Sequence, residues 1–195
     1  MYENEFKRRL ADFKEKWKEF QENPGKKDEK INDYLKFFAH ISSVYKKEVA
    51  EFLQTEIISC LEQYYSILHP LLLMTMAQCL KIMRGKDVAT PENILPVFFK
   101  LFKCKHKELR EFLHTSIISD LKTINKGHNN LSVNRKLQTF IFNMLQDPNE
   151  GASKRSLKVM IELYKRHVWN DEKTVNIIAD GGALNANSKV VTMAC

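Results

Sequence analysis

Apolar side chains recur every three or four residues along nearly the whole chain, the period of α-helices that each turn one face inward. Residues 2–22 carry a narrow stripe of Phe6, Leu10, Phe13, Trp17 and Phe20 among charges. This predicts a helix that covers the exposed end of a helical stack and keeps its outer face wet. Asn23-Pro24-Gly25 breaks the pattern, and Lys26 to Lys30 reads as a polar linker. A helix follows from about Asp33 to Tyr45, with Leu35, Phe37, Phe38 and Ile41. Another, near 48–67, carries Val49, Phe52, Leu53, Ile57, Cys60, Leu61 and Tyr64. His69-Pro70 opens the next, with Leu72, Leu73, Met76, Leu80 and Met83, and Gly85 reads as its C-terminal stop.

The stretch ILPVFFKLFKC is apolar nearly all round and predicts a buried helix. Pro96 is placed in its first turn, so the helix is expected to start near Asn93. From about Lys105, Leu109, Phe112, Leu113, Ile117, Leu121 and Ile124 mark a helical face, and Lys126 to Asn130 a loop. Leu137, Phe140, Ile141, Met144 and Leu145 mark the next helix. In Asp147-Pro148-Asn149-Glu150 the aspartate reads as N-cap, with proline first and glutamate third in the helix. That helix has two apolar strips, one of Leu157, Met160, Ile161, Tyr164 and Val168, the other of Val159 and Leu163. Two strips need neighbours on both sides. Trp169 closes the following corner, Asn170 or Asp171 caps the next helix, and Val175, Ile177 and Ile178 restart the pattern.

The first helices of successive pairs begin near residues 48, 91, 132 and 171, steps of about 43, 41 and 39, the spacing of HEAT and armadillo repeats. No segment shows sustained strand-like alternation. The predicted fold is all-α, a helical-repeat (HEAT/armadillo-like) α-solenoid of stacked antiparallel helix pairs, since one pair cannot hide its apolar faces alone. An irregular bundle of the same helices is the competing arrangement. The expected organisation is a charged helix and linker over residues 1–30, the repeat domain over 31–178, and an atypical tail over 179–195. In that tail Gly181-Gly182 breaks the chain, and SKVVTMAC reads as a truncated next repeat.

Composition changes this picture in one respect. The net charge of +7 is unevenly placed: residues 1–80 carry 12 Lys/Arg against 13 Asp/Glu, while residues 81–173 carry 18 against 10. The second half could therefore meet nucleic acid or an acidic protein, or simply be a solvated lysine-rich surface. Lys154, Arg155, Lys158, Lys165 and Arg166 share one helix. Lys154, Lys158 and Lys165, at spacings of four and seven, form a candidate phosphate contact line. Phe98, Phe99, Phe102, Phe112, Phe140 and Phe142 fall in apolar stripes and read as core, not as a base-stacking platform.

Cys60, Cys79, Cys104 and Cys195 form no CxxC pair, and the first three, inside helical patterns, read as free buried thiols. The six histidines include no HExxH and no Cys/His cluster, so no zinc site is expected. MYENEFKRRL is not a secretory signal, and no apolar run approaches the roughly 18 residues of a membrane span. Glycine-rich phosphate loops, a GxSxG elbow and kinase signatures are absent. Asp171 and Glu172 suit a helix N-terminus better than acid–base work, because helix neighbours point in different directions. His114 reads as a boundary residue, and His167 closes a helix near its carbonyl end. These patterns predict no enzyme, no cofactor, no metal and no small-molecule substrate.

Three stretches carry a resemblance: ILPVFFKLFKCKHKELREFLHTSIISDLKTIN, NRKLQTFIFNMLQD and, above all, SLKVMIELYKRHVWNDEKTVNII. They resemble the N-terminal region of the SDA-type (severe depolymerisation of actin) family, over about Tyr34 to Ile178, with VWNDEKTVN its most specific motif. The tail ADGGALNANSKVVTMAC is expected to leave the family pattern. The resemblance implies a non-enzymatic helical-repeat scaffold of the nucleus and nucleolus, required to mature and export the pre-60S ribosomal particle. Its implied partners are that particle and its assembly factors, with a further link to actin organisation, and the basic second half adds rRNA phosphates as a candidate contact. The alternative is a karyopherin-like transport adaptor that binds protein cargo.

Overall fold

In the computed structural model, which describes residues 2–127 and 130–183, hydrogen-bonded helices succeed one another and no strand occurs among the described residues. The fold divides into two compact units after Ala89.

The first unit contains α1 (Tyr2–Glu22), α2 (Glu29–Ile41), α3 (Glu51–Tyr64), entered through a π-helical turn at Lys46–Ala50, and α4 (Pro70–Gly85). The α1 stripe is a structural element: Phe13, Trp17 and Phe20 are buried, and the Phe13 ring lies 4.9 Å from that of Phe38 on α2. Trp17 Nε1 donates to Glu56 of α3 at 2.7 Å, and Gln21 Nε2 donates to the same carboxylate oxygen at 3.0 Å. α2 packs along α4, and their register is fixed by a buried polar contact in which Thr75 Oγ1 donates to Asn32 Oδ1 at 2.5 Å. A buried pair of this kind holds only in one alignment, because slippage would orphan both groups.

Two boundaries differ from the sequence expectation. α2 begins at Glu29, inside the expected linker, because Asp28 accepts from Ile31 N–H at 3.0 Å and caps it. Gly85 is the last residue of α4 and not its left-handed stop, which is Asp87 at φ 53°. Val88 N–H reaches Met83 C=O at 3.1 Å and Asp87 N–H reaches Arg84 C=O at 3.2 Å, the paired bonds of a Schellman closure.

The second unit contains α5 (Pro91–Lys100) with a 3₁₀ turn at Leu101–Lys103, α6 (Lys107–Ile124), α7 (Leu131–Leu145), α8 (Glu150–Lys165) and α9 (Glu172–Asn176), which continues as π-helical turns through Ile177–Ala183. The first helices α5 and α7 lie side by side, as do the second helices α6 and α8, and α7 packs on α8. This is the expected stacking of helix pairs. First helices start at Pro91, Leu131 and Glu172, close to the predicted period.

α5 is buried almost all round through Ile94, Leu95, Val97, Phe98 and Phe99, with Leu101 and Phe102 behind it. Each such side chain contributes about 1.5–3 kcal/mol on leaving water. The helix starts at Pro91, earlier than expected, because proline suits the first helical position, and that burial lets it tolerate Pro96 in its interior. The lost backbone bond at Pro96 is outweighed by the packing. Phe142, expected in the core, is 38% exposed. α7 buries Leu137, Ile141, Met144 and Leu145, and 100° per residue turns position 142 away from that face.

α8 buries Leu157, Val159, Met160 and Leu163, so both predicted strips are covered, although Tyr164 at their margin is 43% exposed. Its cap is Asn149, which accepts from Ala152 N–H at 2.9 Å, and not Asp147. Asp147 instead accepts from Asn149 N–H at 2.9 Å and pairs with Lys103 at 2.6 Å, leaving Pro148 outside the helix. Gly181 and Gly182 continue the helical turns and do not break them, whereas SKVVTMAC lies outside the described residues. Cys60, Cys79 and Cys104 are free and buried; Cys195 is outside the described residues.

Candidate functional site

The helix pairing that builds the second unit also gathers charge. Burying Leu109, Leu113, Ile117, Ile118 and Leu121 leaves another side of α6 facing outward, with Lys107, Arg110, His114 and Lys122 along it. On α8 the equivalent side presents Arg155, Lys158, Glu162 and Arg166. Because α6 and α8 lie side by side, these rows border one groove.

The groove has two lobes that meet at His114 and Thr115. The larger, about 640 Å³, is bordered by Lys122, Lys126 and Arg166, with Ile118 and Glu162 below. The smaller, about 330 Å³, is bordered by Lys107, Arg110, Arg155, Lys158 and Glu111. Seven cations thus surround two carboxylates, and both carboxylates have partners. His114 Nε2 lies 2.6 Å from Glu162 Oε2, and Arg166 donates to Glu162 Oε1 at 2.7 Å. Hydrogen bonding from His114 first, then from Arg166, holds the Glu162 carboxyl below its ordinary pKa. Glu111 pairs with Lys107 at 3.8 Å.

The smaller lobe has the sharper electrostatics. Arg110 donates from Nη1 to Cys104 C=O at 2.8 Å, while its buried Nε finds no partner. Arg155 donates from Nη1 to Gly151 C=O at 2.8 Å. Gly151 makes room for that approach, since a Cβ there would sit 2.9 Å from Arg155 Nη1. Burial, and then the neighbouring Arg110, push the Arg155 pKa down from its ordinary value. Among the described residues neither guanidinium is paired with a carboxylate. Two adjacent cations without an acid between them form a site that an anion would stabilise.

Of the five candidate basic residues, Arg155, Lys158 and Arg166 border the groove. Lys154 is turned to Glu150 in an i,i+4 pair, and exposed Lys165 lies outside the lining. Lys107, Arg110 and Lys122 of α6, and Lys126 just beyond its end, were absent from that candidate set. Their positions are visible in the sequence, but nothing in it says that α6 and α8 are neighbours.

The corner motif has a packing role. Trp169 is 2% exposed, Asn170 is exposed, and Asp171 caps α9 by accepting from Thr174 N–H at 2.9 Å. Gln138 of α7, wholly buried, donates from Nε2 to both Asp171 oxygens at 3.0 Å and to Thr174 Oγ1 at 2.9 Å. Burial raises the Asp171 pKa, but the hydrogen bonds from Thr174 and Gln138 outweigh it and leave the group below its ordinary value. This node locks the start of one pair to the preceding first helix. Among the described residues no group of three metal-ligating side chains occurs, and no helix is long and apolar enough to cross a membrane.

A family model described as SDA1, HEAT repeat matches residues 37–195. Its match passes Ile178, so the tail expected to leave the family pattern lies within the matched span. The chain is 37% identical over 175 residues to the Protein SDA1 homolog of Nematostella vectensis, covering 90% of this chain and 25% of that protein. Against the homolog of Drosophila melanogaster it is 35% identical over 190 residues, 97% of this chain and 26% of the relative. The Dictyostelium discoideum homolog is 36% identical over 190 residues, again 97% of this chain and 25% of the relative. The chain therefore spans about a quarter of the length of these curated relatives.

Proposed function

The chain belongs to the SDA1 family of HEAT-repeat proteins, and from that premise we propose that it is a non-enzymatic scaffold in large ribosomal subunit biogenesis. It acts in the nucleus and nucleolus, holding assembly factors on the pre-60S particle during maturation and export. The repeat fold supports this reading, because side-by-side second helices offer an extended docking face and no demand for a reactive centre. The observation that carries it is the α6–α8 groove, where seven cations are presented together. A pre-ribosomal particle is a polyanion with acidic protein partners, and such a face suits it.

The test is to tag the chain in cells and follow it by imaging and sucrose-gradient sedimentation. Nucleolar enrichment and co-sedimentation with pre-60S particles are expected. Exclusion from nucleoli and from those fractions would overturn the proposal. Nuclease-resistant association with a soluble transport factor would favour the transport-adaptor reading instead.

A further inference from the structure

We propose that the α6–α8 groove binds an acidic protein segment with an aliphatic centre, and does so in preference to nucleic acid. The inference deepens the scaffold reading by giving one docking surface a partner chemistry, and it rests on that reading only for its biological setting.

Charge complementarity selects an anionic occupant, since seven cations border the groove and the Arg110–Arg155 pair lacks a carboxylate. Three observations then separate a peptide from a phosphate backbone. First, of the three hydroxyls in the groove the two besides that of Ser119 are already used: Thr115 Oγ1 donates to Glu111 C=O at 3.0 Å, and Thr123 Oγ1 donates to Ser119 C=O at 3.0 Å. They are not free to donate to phosphate oxygens. Second, no Phe, Tyr or Trp lines either lobe, and the one ring there, His114, is held by Glu162, so unstacked bases would find no free platform. Third, Ile118 and the His114–Glu162 contact lie between the two groups of cations. A continuous phosphate backbone would press charge against that central carboxylate. A segment with an aliphatic centre would instead set apolar surface on the groove floor, where Ile118 is 6% exposed, and keep its acids at the two ends.

The dimensions fit. Arg110 and Lys122 are twelve residues apart on α6, about 18 Å at the helical rise. About six extended residues cover that distance. One acidic end would meet Lys107, Arg110, Arg155 and Lys158, where Arg carboxylate recognition can be bidentate. The other would meet Lys122, Lys126 and Arg166.

The test uses fluorescence anisotropy with the purified full chain and a labelled peptide bearing three acidic residues at each end and four aliphatic residues between. Controls are the same peptide with serines in the centre, an RNA duplex and a single-stranded RNA. The aliphatic peptide is expected to bind at least tenfold more tightly than the serine peptide. Arg155→Glu with Lys158→Glu, and separately Lys122→Glu with Lys126→Glu, should each weaken it at least tenfold, while Lys165→Glu, outside the groove, changes it less than twofold. Circular dichroism and melting confirm that each variant is folded. Equal binding of the two peptides, unchanged binding by either double variant, or tighter binding and displacement by either RNA would overturn the proposal. Peptide binding by a chain that stays off pre-60S particles would separate a correct groove from an incorrect scaffold reading.

Discussion

Replacing Asp171 by alanine should cost more than a helix cap is worth, because Gln138 depends on the same carboxylate. Loss of the cap on α9 costs about 1 kcal/mol. Loss of the acceptor also leaves the buried Gln138 Nε2 with Thr174 Oγ1 alone, adding about 1–2 kcal/mol for an under-satisfied donor. Asp171→Ala is therefore expected to destabilise the folded chain by roughly 2–3 kcal/mol. Gln138→Leu keeps most of the volume and removes an amide whose Oε1 is already unpaired, so it should cost only about 1 kcal/mol. In the double variant no amide is orphaned, and the coupling should be about 1–2 kcal/mol.

Urea unfolding followed by circular dichroism at pH 7 measures all four corners of this cycle. Costs that add within about 0.5 kcal/mol would refute the node. The pH dependence has a fixed sign. Asp171 titrates lower in the fold than when unfolded, so its stabilisation is complete above the ordinary carboxylate range, near 4, and is lost as pH falls through the folded value. The coupling should fade with it.

Three further outcomes follow from single sites. His167 closes α8 at φ 56°, with Val168 N–H bonded to Leu163 C=O at 3.0 Å, so His167→Gly should relieve left-handed strain and stabilise the chain by about 1 kcal/mol in the same urea assay. Burial pushes the Cys60 and Cys79 thiols up to about 12, so peptide mapping should find both unlabelled by iodoacetamide at pH 8 in the folded chain and labelled in urea. Glu162 is held below its ordinary pKa by His114 and Arg166, so its contribution is present above about pH 4.5 and disappears on acidification. A pH series of melting temperatures on Glu162→Gln should show a smaller loss of stability below that pH than the parent chain does.

The sequence made the repeated skeleton legible because its signals are local. Pro70 and Pro91 sit at first helical positions, the apolar run around Phe98 and Phe99 is long enough to demand burial, and the starts near 91, 131 and 172 preserve the period. Finer boundaries were less legible because several polar residues compete for each cap. Asp147 and Asn149 both can cap α8, and only the Lys103 pair shows why Asp147 does not. The closure at Asp87 was hidden because it is not glycine, and for the same reason His167, expected at its helix end, gave no sign of its left-handed backbone. Gln138 carries no signal in the sequence, because its role exists only where α9 brings Asp171 against it. Half of the groove followed from α8 alone. The other half, on α6, requires knowing that these two helices are neighbours, a long-range fact that periodicity does not encode.

The most direct test of the account is a gradient comparison of the tagged chain with its Lys122→Glu, Lys126→Glu, Arg155→Glu, Lys158→Glu variant, after circular dichroism has confirmed equal helicity. The parent chain should travel with large-subunit precursors and the variant should remain near the top with free protein. Equal sedimentation of both with the precursors would contradict the claim that the α6–α8 groove is the docking surface.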